Sequence, residues 1–250
     1  MIVSGRGFAD WRSPVVTIAP NQSRILTGIR LRIATARTTI KVTPASQVQI
    51  ATEQVKQQEK QRVFGIIPNF YVVYGSNFVP LTAKLKFRLA FKTTIDPVTF
   101  AGIAVVAGAQ QAGDTPDYGQ GAQGFAKRFA ADTASGATDI MIGGAILPSL
   151  LHQDPRYFFQ GTGTIKSRLG HALSNPFVCK GDNGKWQPNY SSIGGDLASA
   201  AISNTYYPES NRGVGRTFTS FAIGTGARVA ASLAQEFLLH KVTRKPRTSK

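Results

Sequence analysis

The chain has 250 residues, of which 42% are hydrophobic, so it can fold around a core and is not a disordered polypeptide. Lysine and arginine outnumber aspartate and glutamate by 29 to 13, and the formal net charge of +16 favours anionic partners. The single cysteine, Cys179, excludes an intrachain disulfide and a multi-cysteine metal site. No stretch reaches the about 18–20 apolar residues that a membrane-spanning helix needs.

Residues 1–45 have the pattern of β-strands. Residues 15–18 and 38–42 are rich in β-branched side chains, and residues 19–22 form a turn signal between strands. Between residues 24 and 33 apolar side chains largely alternate with arginines. A sandwich normally has about seven strands, so this part of the sequence predicts only a partial β-sandwich.

The segment GFADWRSPVVTIAPNQSRILTGIRLRIATARTTIKVTPA resembles the last strands of a carboxypeptidase-regulatory-like domain, a small immunoglobulin-like β-sandwich. The resemblance implies that residues 1–45 are a truncated copy of such a domain. These domains occur in many bacterial envelope proteins, usually behind a signal peptide. A location in the periplasm or at a membrane is therefore implied for the parent protein. The first residues do not have the signal-peptide pattern, which leaves the cytoplasm open.

Residues 46–63 are polar, good helix formers and predict a solvated linker helix at a domain boundary. Residues 64–79 are aromatic and apolar but interrupted by proline and glycine, which predicts an extended segment leading into a helical domain over residues 64–243. Residues 244–250 form a basic tail that we expect to be disordered.

Thr82 can cap a helix in which leucines recur every four residues, at Leu81, Leu85 and Leu89. The same helix carries a set of cations that makes it a candidate for binding an anionic surface: Lys84, Lys86, Arg88 and Lys92. The pattern also fits a helix whose leucines lie in a core and whose charges lie in water.

Small residues recur at four-residue spacing in three later segments. The stripes are Ala104-Gly108-Ala112, Gly195-Ser199-Ser203 and Ala222-Gly226-Ala230-Ala234. Such stripes let helix backbones approach closely, in a membrane or in a compact bundle. Asp96 and Pro97 mark the start of the helix that carries the first stripe. The fold class that follows is mainly α: a glycine/alanine-rich helical bundle preceded by a short β segment.

Residues 118–151 predict one long helix that stops near Pro148 and is followed by a turn over residues 154–157. The letters GQGAQG at 119–124 match the GxGxxG dinucleotide fingerprint, but that fingerprint requires a preceding strand, and the sequence predicts a helix there. A glycine-rich helix start, able to accept an anion, is the better interpretation.

Charged residues along and after this helix could form a buried polar network, with Arg156, Arg168 or Arg228 as partners. Its candidate members are Arg128, Asp132, Asp139, Asp154 and Arg156. Two carboxylates in different environments could instead serve catalysis, but structural pairing is favoured.

Three separated stretches, QRVFGIIPNFYVVY, HQDPRYFFQGTGTIKSRLGHAL and ISNTYYPESNRGVG, resemble the repeated motifs of an uncharacterised bacterial domain. That domain often follows a carboxypeptidase-regulatory-like module. The resemblance covers residues 46–243 and implies a mainly helical domain in an envelope context. It brings no catalytic assignment.

The sequence has no HExxH, Walker A, GxSxG or CxxC motif, and its three histidines lie in separate segments. We expect a non-enzymatic envelope-associated protein, without a cofactor, whose helical domain binds an anionic membrane surface, a glycan, a partner protein or its own copies. Two alternatives stay open. One is a soluble basic protein that binds nucleic acid or another anionic polymer, although no nucleic-acid motif supports it. The other is a hydrolase with an unrecognised site.

Overall fold

The computed structural model describes residues 2–32, 44–75 and 78–244. Contacts within the chain divide it into two units, Met1–Thr43 and Pro44–Lys250. The strand predicted at 38–42 and residues 245–250 of the predicted basic tail lie outside the described residues.

In the first unit, β1 (Ile2–Val3) pairs antiparallel with β2 (Trp11–Arg12). The turn predicted at 19–22 is present, since the Gln22 amide donates to the Ala19 carbonyl at 3.1 Å. No strand forms at 15–18 or at 25–32. Val15 and Ile25 are 99% and 85% exposed, because nothing within residues 2–32 covers them. The partial β-sandwich is therefore not confirmed.

The second unit is mainly helical, as the sequence predicts. Its helices are α1 (Pro44–Gln58), α2 (Ala83–Thr94), α3 (Pro97–Ala112), α4 (Gly121–Met141), α5 (Leu147–Leu150), α6 (Ile165–Ser174), α7 (Tyr190–Ser203), α8 (Val214–Ala234) and α9 (His240–Val242). Two π-helical segments, Ile142–Ile146 and Gln235–Leu239, join α4 to α5 and α8 to α9. A single 3₁₀ turn, Glu209–Asn211, precedes α8.

Short strands tie these helices together. They are β3 (Arg62–Val63), β4 (Ile67–Pro68), β5 (Val72–Val73), β6 (Tyr157–Phe158), β7 (Val178–Lys180), β8 (Trp186–Pro188) and β9 (Thr243–Arg244). β3 lies between β4 and β9, antiparallel to both, whereas β5 and β6 pair in parallel. β7 and β8 pair antiparallel in a hairpin.

The helix starts follow their sequence signals unevenly. Asp96 caps α3, because its carboxylate accepts a hydrogen bond from the Val98 amide at 3.0 Å and Pro97 occupies the first turn. Thr82 stands at the cap position of α2, but its side chain makes no capping hydrogen bond.

The helix predicted as a solvated linker packs into the second unit. Ala51 and Val55 of α1 are fully buried in a cluster with Phe70, Leu85 and Leu89. Its small apolar side therefore packs against α2, whereas Val48 and Ile50 on the same helix are exposed.

One small-residue stripe marks a close helix contact. Gly195 of α7 meets the π-helical Gly143 so closely that a Cβ added at Gly195 would lie 2.5 Å from the Gly143 Cα. Ser199 and Ser203 are buried on the same helix. The stripe on α8 behaves differently, since Ala222 and Gly226 are exposed. Arg228 and Ser232 belong to its inner side instead, where Arg228 pairs with two acids and Ser232 is buried.

Within the described ranges, no single helix combines the length and the apolar character needed to cross a bilayer. Together, α2 and α3 meet that measure by length and composition, with a bend of 52° between them.

Candidate functional site

The outer face of α2 presents two neighbouring stripes. Phe87, Phe91 and Ile95 are exposed, each four residues from the next. Beside them run three exposed cations, also four residues apart: Lys84, Arg88 and Lys92. Because residues four apart lie above one another on a helix, an apolar stripe and a basic stripe stand side by side. These six residues are called the α2 outer face below.

Lys86, the fourth cation predicted for this surface, lies elsewhere. It is 1% exposed, and its Nζ donates to Asp182 Oδ2 at 2.8 Å and to the Pro148 carbonyl at 3.1 Å. Lys86 follows Leu85 on the inner side of the helix, where the hairpin turn supplies a carboxylate. A buried ammonium group requires such a partner, so Lys86 is a structural ion pair.

Among the residues that the structure describes, one acid pairs with the basic stripe. Glu59 accepts from Arg88 Nε at 2.6 Å and from Arg88 Nη2 at 2.8 Å, and lies 4.0 Å from Lys92 Nζ. Three cations against one carboxylate leave the α2 outer face with a net positive charge.

The five residues proposed for a polar network separate into four places. Arg128 is fully buried under the glycine-rich loop, where its Nη1 donates to the Gly119 carbonyl at 2.6 Å and also to the Gln111 side chain. A Cβ at Gly124 would lie 2.0 Å from the Gly119 oxygen, so the loop folds tightly over the start of α4. No strand precedes it within residues 78–118, and the glycines serve loop packing.

Asp132 lies one turn further along α4 and accepts a hydrogen bond from Gln110 at 3.1 Å. Burial raises the pKa of its carboxyl, with the bond from Gln110 opposing that effect. It is hydrogen-bonded to α3 and forms no salt bridge with Arg128.

Asp139, on the same helix, is bound by Arg228 of α8. Arg228 Nη2 donates to Asp139 Oδ2 at 2.8 Å and to Asp196 Oδ1 at 2.7 Å, so one guanidinium bridges two carboxylates from α4 and α7. Burial raises the pKa of Asp139 to about 6; Arg228 lowers it, and the neighbouring Asp196 adds to the rise. One arginine thus joins three helices.

Asp154 and Arg156 form the fourth group, directly after α5. Arg156 Nε and Nη2 donate to the two Asp154 oxygens at 2.9 and 2.6 Å, and Nη2 also reaches the Val79 carbonyl at 3.0 Å. Both side chains are almost completely buried. This bidentate geometry is the one that favours arginine over lysine.

A cavity of about 280 Å³ brings two of these groups together. Asp139, Arg228, Asp154 and Arg156 all line it. Much of the remaining wall is polar: Tyr71, Asn175, Asn189, Ser191, Ser192 and Ser232. Arg128 and Asp132 are not part of this wall. The sequence therefore predicted three of the four charged lining residues as network members, and named Arg228 only as a possible partner.

Glu236 is a buried site that the sequence analysis missed. Its carboxylate accepts from Tyr157 Oη at 2.6 Å, from Arg168 Nε at 2.8 Å and from the Gly161 amide at 2.9 Å. Burial alone would raise its pKa, but these hydrogen bonds outweigh that effect and hold it below its usual value. The available sequence signal was a lone acid beside the apolar residues of the second π-helical segment.

Nucleophilic chemistry has little support in the described residues. Cys179 is buried, and burial raises the pKa of its thiol to about 12, so it stays protonated near neutral pH. His152 is largely exposed, with Nδ1 3.7 Å from Asp182. No group of three histidine, cysteine or acidic residues within the described ranges could hold a metal ion.

Comparison of the chain with family models, with curated proteins and with solved structures finds no match. The two resemblances drawn from the sequence motifs stay predictions.

Proposed function

We propose that the helical unit is a non-enzymatic module that binds an anionic membrane surface through the α2 outer face, in a bacterial cell envelope. The observation that carries the proposal is the pairing of an exposed aromatic stripe with an exposed basic stripe on one helix. Apolar side chains can enter the headgroup region while neighbouring cations contact anionic lipids, which is how interfacial helices bind.

The apolar stripe is not needed for the core. Leu85 and Leu89 already fill the inner side of α2 and are almost completely buried. Phe87 and Phe91 form a second apolar pair on the exposed side of α2, where a helix in water usually carries polar residues. Exposed aromatic groups beside cations therefore indicate a surface that contacts a partner, because these groups are not needed for packing in the core.

The adjoining helix extends the apolar character. α3 follows α2 after two residues, contains no charged residue, and exposes Val105 and Val106. A helix that lies in water generally carries charges on its outer side. The absence of charge along all of α3 fits contact with lipid headgroups and acyl chains.

The free energies expected for these membrane contacts are large enough to give reversible binding. Transfer of a phenylalanine side chain out of water is worth about 1.5–3 kcal/mol, and each cation near an anionic surface about 1 kcal/mol. Partial insertion of two phenylalanines together with a net charge of two can thus give reversible binding. Either contribution alone gives weak attachment.

The test is sedimentation of the full chain with vesicles of phosphatidylcholine alone, or mixed with phosphatidylglycerol, across a salt series. We expect stronger binding to the mixed vesicles, and partial loss of that binding as salt rises. Phe91→Ser should weaken partition about tenfold, since it removes over 1.4 kcal/mol of apolar contact.

Phe218→Ser is the matched control, because Phe218 on α8 is 60% exposed and Phe91 is 59% exposed. It should leave vesicle binding unchanged. Equal losses in both variants would show that the α2 outer face is not the contact, and absence of binding to either vesicle would overturn the proposal.

A further inference from the structure

An open cleft beside the β7–β8 hairpin takes none of its described wall from α2, so it is separate from the α2 outer face. Its volume is about 460 Å³, which is within the range of sites that hold a small molecule. Aromatic side chains make up much of the wall, and one ammonium group, that of Lys180, stands among them.

Lys180 brings the charge to this cleft. Its Nζ lies 4.0 Å from the ring centre of Phe78, 4.4 Å from that of Phe158 and 5.1 Å from that of Trp186. Ring faces attract a cation but offer it no oxygen, and no acceptor in the part of the chain that the structure describes bonds this ammonium group. Because Lys180 is only half-buried, its N–H donors are open to an acceptor in the cleft.

The charge of Lys180 is not balanced on the wall. None of the described residues that line the cleft is an aspartate or a glutamate. Burial lowers the pKa of Lys180; Asp154 opposes that effect and Arg156 adds to it. Asp154 is already held by its bidentate pair with Arg156, so these two charges cancel. The cleft therefore lacks a counter-charge, and an anion that entered it would supply one.

Trp186 presents an accessible ring surface beside that charge. It is 52% exposed, whereas Phe158 is 8% exposed and belongs to the interior. His171 packs edge-on against the indole with ring centres 5.7 Å apart, and its Nε2 donates to the Phe158 carbonyl at 2.7 Å. This hydrogen bond fixes the imidazole behind the indole, so the wall is formed before a ligand arrives. A ligand with an apolar face can cover the indole, which a bare inorganic ion cannot do.

We propose that this cleft binds a small organic carboxylate with an apolar ring face, either a sugar acid such as a uronate or a plain cyclic acid. The carboxylate accepts hydrogen bonds from the Lys180 ammonium group, and the ring lies against the accessible surface of Trp186. Charge-assisted hydrogen bonds of this kind are roughly twice as strong as those between neutral groups.

Calorimetric titration of the full chain tests the site, with glucuronate and cyclohexanecarboxylate as the two ring acids. Methyl glucoside and cyclohexanecarboxamide are their neutral counterparts, and inorganic phosphate is an anion without a ring. We expect at least one ring acid to bind saturably, more tightly than phosphate and about tenfold more tightly than its neutral counterpart, which lacks the charged acceptor. The tighter of the two acids distinguishes a sugar acid from a plain cyclic acid.

Lys180→Met should weaken the binding of that acid about tenfold, because it keeps the length of the side chain and removes the charge. Lys180→Arg keeps the charge and should bind the acid more tightly than Lys180→Met does. Lys185→Met is the matched control, since Lys185 is exposed in the same hairpin, does not line the cleft and loses the same charge. It should leave the affinity unchanged. Trp186→Leu should weaken binding about threefold through the lost ring contact.

Four outcomes would contradict the inference. The first two are no saturable binding of either ring acid at millimolar concentration, and equal affinity for an acid and its neutral counterpart. Neither of these depends on a variant that must fold. The others are binding of phosphate as tight as that of both ring acids, and equal losses in Lys180→Met and Lys185→Met. Vesicle binding through the α2 outer face is measured separately and does not depend on any of them.

Discussion

Glu236→Gln should destabilise the helical unit strongly although it changes the side chain by one atom. The carboxylate is fully buried and accepts from Tyr157, Arg168 and the backbone amide of Gly161. The amide NH₂ of glutamine would face donors, and the Arg168 guanidinium would lose its counter-charge. Removing one partner of a buried ion pair costs about 3–5 kcal/mol. For a unit of this size that corresponds to a fall in Tm of about 6–20 °C.

Glu53→Gln is the control, because Glu53 pairs with Lys56 on an exposed surface of α1. Exposed pairs contribute about 0–1 kcal/mol, so this variant should unfold close to the unaltered chain. Urea unfolding followed by circular dichroism measures both. If the unfolding free energies of Glu236→Gln and Glu53→Gln differ by less than about 1 kcal/mol, the buried carboxylate does not stabilise the contact between β6 and the second π-helical segment.

The same residue predicts a pH dependence. Hydrogen bonds hold the pKa of Glu236 below its usual value of 4.5 despite its burial. The folded state therefore binds fewer protons than the unfolded chain in that range, and its contribution is present above pH 4.5 and lost as pH falls through the lower folded pKa. Glu236→Gln should lose less stability on acidification than the unaltered chain.

Two further variants test the helix contacts and the Arg228 bridge. Gly195→Ala should lower the unfolding free energy by about 1–3 kcal/mol, because its Cβ would lie 2.5 Å from the Gly143 backbone. Gly226→Ala is the control: its Cβ would meet nothing within 4 Å, so this variant should stabilise α8 by up to about 1 kcal/mol. Burial raises the pKa of Asp139 to about 6, so the folded state holds a proton that the unfolded chain loses above about pH 4. Unfolding free energy should fall as pH rises through that window, and Asp139→Asn should flatten the fall; an unchanged slope in urea unfolding would refute it.

Local signals predicted the local structure well. Asp96 and Pro97 start α3, and the buried leucines of α2 lie where their spacing puts them. Each of these depends on neighbours within a few residues. The strands expected in residues 15–32 did not form, since alternation produces a strand only where another strand is available to pair with it.

The sites were harder to predict because they depend on distant partners. The spacing within α2 predicts Lys86 as one more surface cation, because its partner Asp182 lies 96 residues later in the chain. Asp139 and Arg128 are on one helix, yet the first meets Arg228 and the second meets a glycine loop. Sequence spacing fixes which residues share a helix face, but it does not say which other helix covers that face.

Small residues explain why large apolar side chains do not fill the contact between α7 and the first π-helical segment. Where Gly195 meets Gly143, the helix backbones are too close for large side chains between them. Hydrogen bonds and ion pairs, such as the Arg228 bridge, then hold the bundle where apolar packing has little volume. Elsewhere the core is apolar, as in the cluster that contains Val55, Phe70 and Leu89. Phe87 and Phe91 are exposed in addition to this core, and they give α2 the apolar outer face through which we propose that it contacts a membrane surface.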